Sequence, residues 1–161
     1  MDFTFSDDQD ALRESVRAFL TREAQGGYVR EMADDERGFT DAMWDKVAEL
    51  GWPGLLVPES NGGLGLELVD MAVVMEEMGR LPFPGPFFSS AVFATLASRR
   101  LEDADLLAQL ASGAIRGTVA LEELGHDDPV DRVHTRARRK GADWVLTGEK
   151  PLVLDGTPRT G

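Results

Sequence analysis

No cysteine occurs anywhere in the 161 residues. That absence excludes disulfides, thiolate metal centres and a cysteine nucleophile together. Histidine is almost as scarce, with only His126 and His134 present. Neither has a second histidine or a carboxylate at zinc-ligand spacing, so no metal site is expected. There is no Gly-x-Ser-x-Gly run, which leaves covalent acyl transfer without a nucleophile. Positive charge is also in short supply: 17 Lys and Arg stand against 29 Asp and Glu, for a net charge of -12. An acidic surface of this kind disfavours nucleic acid and anionic membrane as partners. No apolar run approaches the ~20 residues of a membrane span. The first residues lack the basic and apolar regions of a secretory signal. The expectation is a cytoplasmic protein that engages neither nucleic acid nor membrane.

What is present is a series of helical patterns. Ser6-Asp7-Asp8-Gln9 is an S-x-x-Q capping box, and Asp7, Asp8 and Asp10 suit the positive end of the helix dipole. Leu12, Val16, Phe19 and Leu20 then form one apolar face. The pattern predicts a helix over 7–24, ended by Gly26-Gly27, with Phe3 and Phe5 packing back on the cap. A second helix is predicted over 41–50, with Thr40 as N-cap and Gly51 at the left-handed C′ position. A third covers 68–78. Its apolar set of Val69, Ala72, Val73, Val74, Met75 and Met78 is broad enough to make it central. Pro82, Pro84 and Pro86 stop it. Fourth and fifth helices are read over 87–100 and 102–111, the last with Asp103 and Asp105 near its start. Up to Ser112 the chain reads as all-α.

The period then changes. Short strand-like runs at 115–121, 133–138, 144–147 and 152–154, with a turn at Gly141-Ala142-Asp143, suggest an antiparallel meander or barrel. The domain boundary is placed near Gly113, giving a helical part over 1–112 and a β part over 113–161.

Residues 50–66 are dense in glycine and proline yet carry Trp52, Leu55, Leu56, Val57, Leu64 and Leu66. A loop that apolar is a buried crossing of fixed conformation, and such loops tend to serve sites. Gly63 and Gly65 invite a dinucleotide fingerprint, but Leu68 replaces the third glycine and no βαβ unit surrounds them. Arg132, Arg136, Arg138, Arg139 and Lys140 form a basic cluster, read either as a phosphate site or, preferably, as the solvated end of a hairpin. Glu76 and Glu77 lie on a largely apolar helix. Burial there would raise a carboxyl pKa, but pairing with a base such as Arg80 at the helix end is the favoured reading.

The spelling "AELGWPGLLVPESNGGLGL" over 48–66, followed by "VVMEEMGR" over 73–80, resembles the amino-terminal domain of acyl-CoA dehydrogenases. "RGTVALEE" over 116–123 resembles the entry to that family's middle β-domain, and "GADWVLTGEKPLVLDG" over 141–156 its later hairpin. The resemblance implies a mainly α fold: a five-helix amino-terminal domain followed by an incomplete antiparallel β segment. It implies an FAD-dependent oxidoreductase that desaturates the Cα–Cβ bond of an acyl-CoA thioester in fatty acid or lipid metabolism. A carboxylate takes the α-proton, flavin N5 takes the β-hydride, and the electrons leave to a carrier flavoprotein. A homo- or hetero-oligomer is implied as well.

Three departures shape the expectation. The family's base comes from a carboxy-terminal helical bundle, so no catalytic residue is assigned in this chain. The flavin loop, usually Leu-Thr-Glu-Pro followed by Gly-Ser-Asp, here reads Leu121-Glu122-Glu123-Leu124, then Gly125-His126-Asp127-Asp128. The family's aromatic ring and hydroxyl on the later hairpin are Leu152 and Leu154. Leu121, Glu122, Glu123, Leu152 and Leu154 are therefore the cofactor-facing positions by resemblance, and Phe87, Ser90 and Ala91 the acyl-pocket positions. The chain is expected to be a fragment or truncated member that is not active alone. The competing reading is a non-catalytic helical module that binds a partner subunit or an acyl ligand. Val145, Leu146, Leu152, Val153 and Leu154 need partners, and unpaired strand edges invite association.

Overall fold

The Ser6 capping box forms in both directions: the Gln9 N–H donates to Ser6 Oγ and the Ser6 N–H to Gln9 Oε1. It starts helix α1 (Asp7–Glu23), which buries Val16, Phe19 and Leu20. The computed structural model describes residues 4–123 and 133–156. Phe3, residues 157–161 and the stretch 124–132, which carries Leu124, Gly125, His126, Asp127, Asp128, Asp131 and Arg132, lie outside the described residues. The chain divides into two units, Met1–Gly117 and Thr118–Gly161.

In the first unit α1 ends at its Ala24 cap, but Gly26 and Gly27 do not lead into a loop. They open a further helix, α2 (Gly26–Asp34), which the sequence pattern missed. Gln25, in extended conformation, separates the two. The glycines cost helix propensity, and no side chain caps α2. Its support is tertiary: Met32 is buried and Tyr28 packs on the core. Thr40 caps α3 (Asp41–Glu49) by accepting from the Met43 N–H, and Gly51 follows at φ 75° as expected. α4 (Leu68–Arg80) lies along α1 and buries Met71, Val73, Val74 and Met78. Leu68, Val69, Ala72 and Glu76 form an outward stripe at helical spacing. The helix is thus less enclosed than its composition suggested, because part of its apolar set stands on the solvent side.

The expected fourth helix has two windings. Residues Phe88–Ala94 are π-helical, and α5 (Thr95–Leu101) continues from them. The last helix, α6 (Ala104–Ala111), starts slightly later than expected, with Asp103 accepting from the Leu106 N–H. In the second unit only one pair of strands forms among the described residues. β1 (Arg136–Lys140) and β2 (Asp143–Thr147) are antiparallel around a two-residue loop, Gly141-Ala142. The expected strands at 115–121 and 152–154 reduce to a single bridge between Glu122 and Leu152.

The 51–66 crossing explains how an apolar loop can be buried. Trp52, Leu55, Leu56 and Val57 are fully inside, which would strand their backbone groups without partners. The chain folds back to supply them. The N–H groups of Leu64, Gly65 and Leu66 donate to the carbonyls of Gly54, Val57 and Leu55 at 2.8–2.9 Å. This outer layer is why Leu64 and Leu66 are exposed rather than buried. Gly63 lies where the two passes are closest: a Cβ there would sit 2.1 Å from the Val57 carbonyl oxygen.

Electrostatics joins α1 to α4. Glu77 is 1% exposed, yet its carboxylate is fully occupied. Arg17 grips it with two bonds of 2.9 and 2.6 Å, Arg80 adds one of 2.9 Å, and Arg13 lies 3.6 Å away. Arg13 also pairs with the exposed Glu76 at 2.6 Å. Gln9 donates to Asp70 at 2.8 Å farther along the same seam. The arginine contacts outweigh desolvation and hold Glu77 down at about 2, against an ordinary 4.5. This is the reverse of the raised value that burial alone would cause. Its stabilising contribution is complete above about pH 4.5 and is lost as pH falls through about 2. Glu77→Gln is expected to cost about 1–3 kcal/mol at neutral pH and to flatten the acid limb of urea-midpoint measurements taken from pH 6 to pH 2. Gly63→Ala is expected to cost about 3 kcal/mol or more, by the same assay, because the clash is with backbone.

Candidate functional site

The cofactor-facing positions lie in the second unit, where one carboxylate organises them. Glu123 accepts from the backbone N–H groups of His134 (2.7 Å) and Thr135 (2.9 Å), from Thr135 Oγ1 (2.6 Å) and from Lys150 Nζ (2.8 Å). His134 Nδ1 lies 3.3 Å from the same carboxylate. The Lys150 ammonium and the Thr135 hydroxyl, followed by the two backbone donors, hold the Glu123 carboxyl well below the usual carboxylate range. Lys150 Nζ also donates to the Leu121 carbonyl at 3.0 Å. The Glu122–Leu152 bridge completes the contact between the two segments. Leu121, Glu122, Glu123 and Leu152 are therefore brought together. Leu154 is fixed separately, its carbonyl accepting from Thr118 Oγ1 at 2.7 Å. Leu121, Leu152 and Leu154 all expose apolar surface.

The acyl-pocket positions lie in the first unit, on the π-helical turn and the residue before it. Phe87 and Ala91 belong to the main core cluster. The Ser90 hydroxyl accepts from the Gly117 N–H at 3.2 Å, and its carbonyl accepts from Thr95 Oγ1 at 3.1 Å. All three point inward, where Phe87 lines a recess with Phe39, Met43, Trp44 and Phe83. The recess has a volume of ≈ 10 Å³, the limit for a single water, so protein fills it. The outward residues of the π segment are Phe88 and Phe93, whose rings meet at 4.7 Å. At α-helical winding, residues five apart stand on different faces. The wider π turn brings them together, and no periodicity count could have located that.

A roomier cleft also went unnoticed in the sequence. Leu56, Leu66, Leu68 and Leu96 floor an open groove of about 670 Å³, and Arg99 and Arg100 stand on its rim. The pair of arginines at the end of α5 was its one visible signal. The basic strand β1 is solvated along its whole length. Among the described residues there is no group of three or more His, Asp or Glu placed to hold a metal. Nor is any helix there long and apolar enough to cross a membrane.

Residues 6–103 match the family described as acyl-CoA dehydrogenase, N-terminal domain. The chain is 30% identical over 159 residues to the mitochondrial long-chain specific acyl-CoA dehydrogenase of Sus scrofa, covering 94% of this chain and 36% of that enzyme. Among solved structures it is similar to a variant of the Tcur3481–Tcur3483 steroid ACAD, with TM-score 0.84 and 32% identity over 94% of this chain and 42% of that one. It is also similar to the ChsE4–ChsE5 complex from Mycobacterium tuberculosis, with TM-score 0.78 and 26% identity over 92% and 40% of the two chains. The chain thus spans less than half the length of each of these relatives.

Glu123→Gln keeps the shape but discards the charge. It is expected to speed amide exchange at His134 and Thr135, the two N–H groups that Glu123 accepts, and to leave α4 amides unchanged. Exchange followed by NMR checks this. Unaltered protection at both positions would show that the carboxylate is not what fixes them.

Proposed function

Because this chain belongs to the acyl-CoA dehydrogenase family, matched through that family's N-terminal domain, we propose that it supplies two parts of an FAD-dependent α,β-desaturation of an acyl-CoA thioester. Residues 1–112 form the helical, acyl-side part, with Phe87, Ser90 and Ala91 shaping the pocket from the core. Residues 113–161 begin the cofactor-side part, with Leu121, Glu122, Glu123, Leu152 and Leu154 facing the flavin. The electrons pass to a carrier flavoprotein, and the active form is an oligomer.

In this reading the chain does not act alone, and the state of Glu77 and Glu123 supports it. A base must accept a proton from the thioester α-carbon, with a pKa near the working pH. Glu77 is held at about 2 by its arginines, and Glu123 is saturated with donors. Neither has a lone pair or a pKa suited to the task. In this reading neither of these two carboxylates is the proton acceptor.

Among the described residues, those at the cofactor-facing positions do not fit the flavin ring. The ring edge needs donors as well as acceptors, and Glu122 brings a carboxyl group where the family has a hydroxyl. Two side-chain donors of the second unit, Thr135 Oγ1 and Lys150 Nζ, are both turned onto Glu123. Leu152 and Leu154 offer no hydroxyl. This mismatch also favours the second reading, a non-catalytic helical module that binds a partner subunit or an acyl ligand.

Purification of the 161-residue chain in the presence of excess FAD tests the reading. The expected product is colourless, lacks flavin absorbance after gel filtration, and gives no turnover of acyl-CoA with an artificial electron acceptor. Stoichiometric flavin retained by this chain, or turnover without a second polypeptide, would overturn it.

A further inference from the structure

We propose that residues 113–117 are a strap that docks on the helical unit as one cooperative piece, latched at Trp44, Arg116 and Ser90. The π-helical turn and the point where the chain leaves this unit are then held or released together.

The strap belongs to no helix or strand and lies wholly within the first unit. Its polar groups are nonetheless taken one after another. The Gly113 N–H donates to the Leu110 carbonyl at 3.1 Å, and the Ile115 N–H to that of Gln109 at 3.4 Å. The Gly113 carbonyl accepts from the Trp44 indole N–H at 2.8 Å. The Gly117 N–H donates to the buried Ser90 hydroxyl at 3.2 Å. Between these ends Arg116 lies over the rings of Phe39 and Trp44, 5.1 and 5.7 Å from their centroids. Its guanidinium also pairs with Asp41 at 3.1 Å.

The ends are glycines for a steric reason. A Cβ at Gly113 would sit 2.6 Å from the Ala48 Cβ, and one at Gly117 would sit 2.8 Å from the Ala94 Cβ. The first end thus presses on α3 and the second on the last residue of the π turn. One indole serves both halves: Trp44 holds Gly113 by its N–H and Arg116, next to Gly117, by its ring face. Ordering five residues of irregular chain carries a backbone entropy cost that no one of these contacts offsets. They therefore hold jointly or not at all.

The functional meaning rests on the reading proposed above, in which the π turn is on the acyl side and the chain beyond Gly117 begins the cofactor side. Moving Ser90 away from Gly117 loosens the strap. A change at the acyl-side turn is thereby passed to the chain that leads to the cofactor-facing positions.

Native-state hydrogen exchange on the full chain, followed by NMR, tests this at three protons: the Trp44 indole N–H and the Ile115 and Gly117 amides. All three are expected to share one protection factor, about ten-fold or more below that of the Val73 and Val74 amides, as for a segment that opens separately from the core. Ser90→Ala and Arg116→Ala should each lower protection at all three by about five-fold, the effect of one lost contact. Arg116 stands at the surface, so its variant decides the matter should Ser90→Ala fail to fold. If Ser90→Ala leaves the Trp44 indole as slow as in the parent, or Arg116→Ala leaves the Gly117 amide as slow, the anchors act independently and the proposal falls. Protection in the parent equal to that of Val73 and Val74 overturns it too, because the strap would then open only when the whole unit unfolds. The measurement needs neither flavin nor an acyl thioester. A failed strap leaves the acyl-side assignment standing, and flavin retained by the chain would leave the strap standing.

Discussion

Glu77 is the constraint around which the helical unit is arranged. A carboxylate with almost no water around it is tolerable only if its lone pairs are filled and its charge is balanced. Arg17 fills two positions and Arg80 another. The first belongs to α1 and the second to α4 itself, so satisfying one group fixes the register between two helices far apart in sequence. The apolar contacts along that seam, from Val16 and Leu20 on one side and Val74 and Met78 on the other, are non-directional. They would permit several sliding arrangements of similar burial, and the bidentate arginine fork permits few. Packing supplies most of the stability, and the ion cluster chooses which packing is used.

The same division of labour recurs in the crossing at 51–66 and at Glu123. In the crossing, apolar side chains go inward because the backbone is satisfied by its own return pass. At Glu123, a carboxylate gathers donors from separate places in the chain and so holds a short, sparsely bonded segment in position. A unit with one hairpin and one bridge among its described residues has little core of its own. The polar clamp does there what helix packing does in the first unit.

How much of this could be read in advance depended on whether the cause was local. The caps at Ser6 and Thr40 were legible because capping involves residues three apart. The helices α1, α3 and α4 followed from their periodic faces. α2 was not legible, since Gly26-Gly27 is a local stop signal and only burial of Met32 and Tyr28 overrides it. Exposure of Leu64, Leu66 and Val69 was missed because it depends on which surface the tertiary fold leaves outermost. The pairing of Glu77 with Arg80 was visible at i, i+3, whereas the stronger contact with Arg17 needed the tertiary fold. The cofactor-facing positions were chosen by likeness to a family. The clamp that holds them uses Thr135 and Lys150, to which no motif pointed.

The π-helical turn at Phe88–Ala94 has a consequence for how this chain tolerates change in length. It accommodates one more residue per turn than the helix that follows it, with the Thr95 N–H reaching back five residues to Ser90. It therefore works as a stored insertion. Removing a single residue between Phe88 and Phe93 would let the segment relax to ordinary winding with α5 and the residues before it both kept in register. Phe88 and Phe93 would then stand four apart and still share one outward face. This helix can thus give up a residue without re-dealing the side chains that flank the deletion, and the rest of the bundle is left standing.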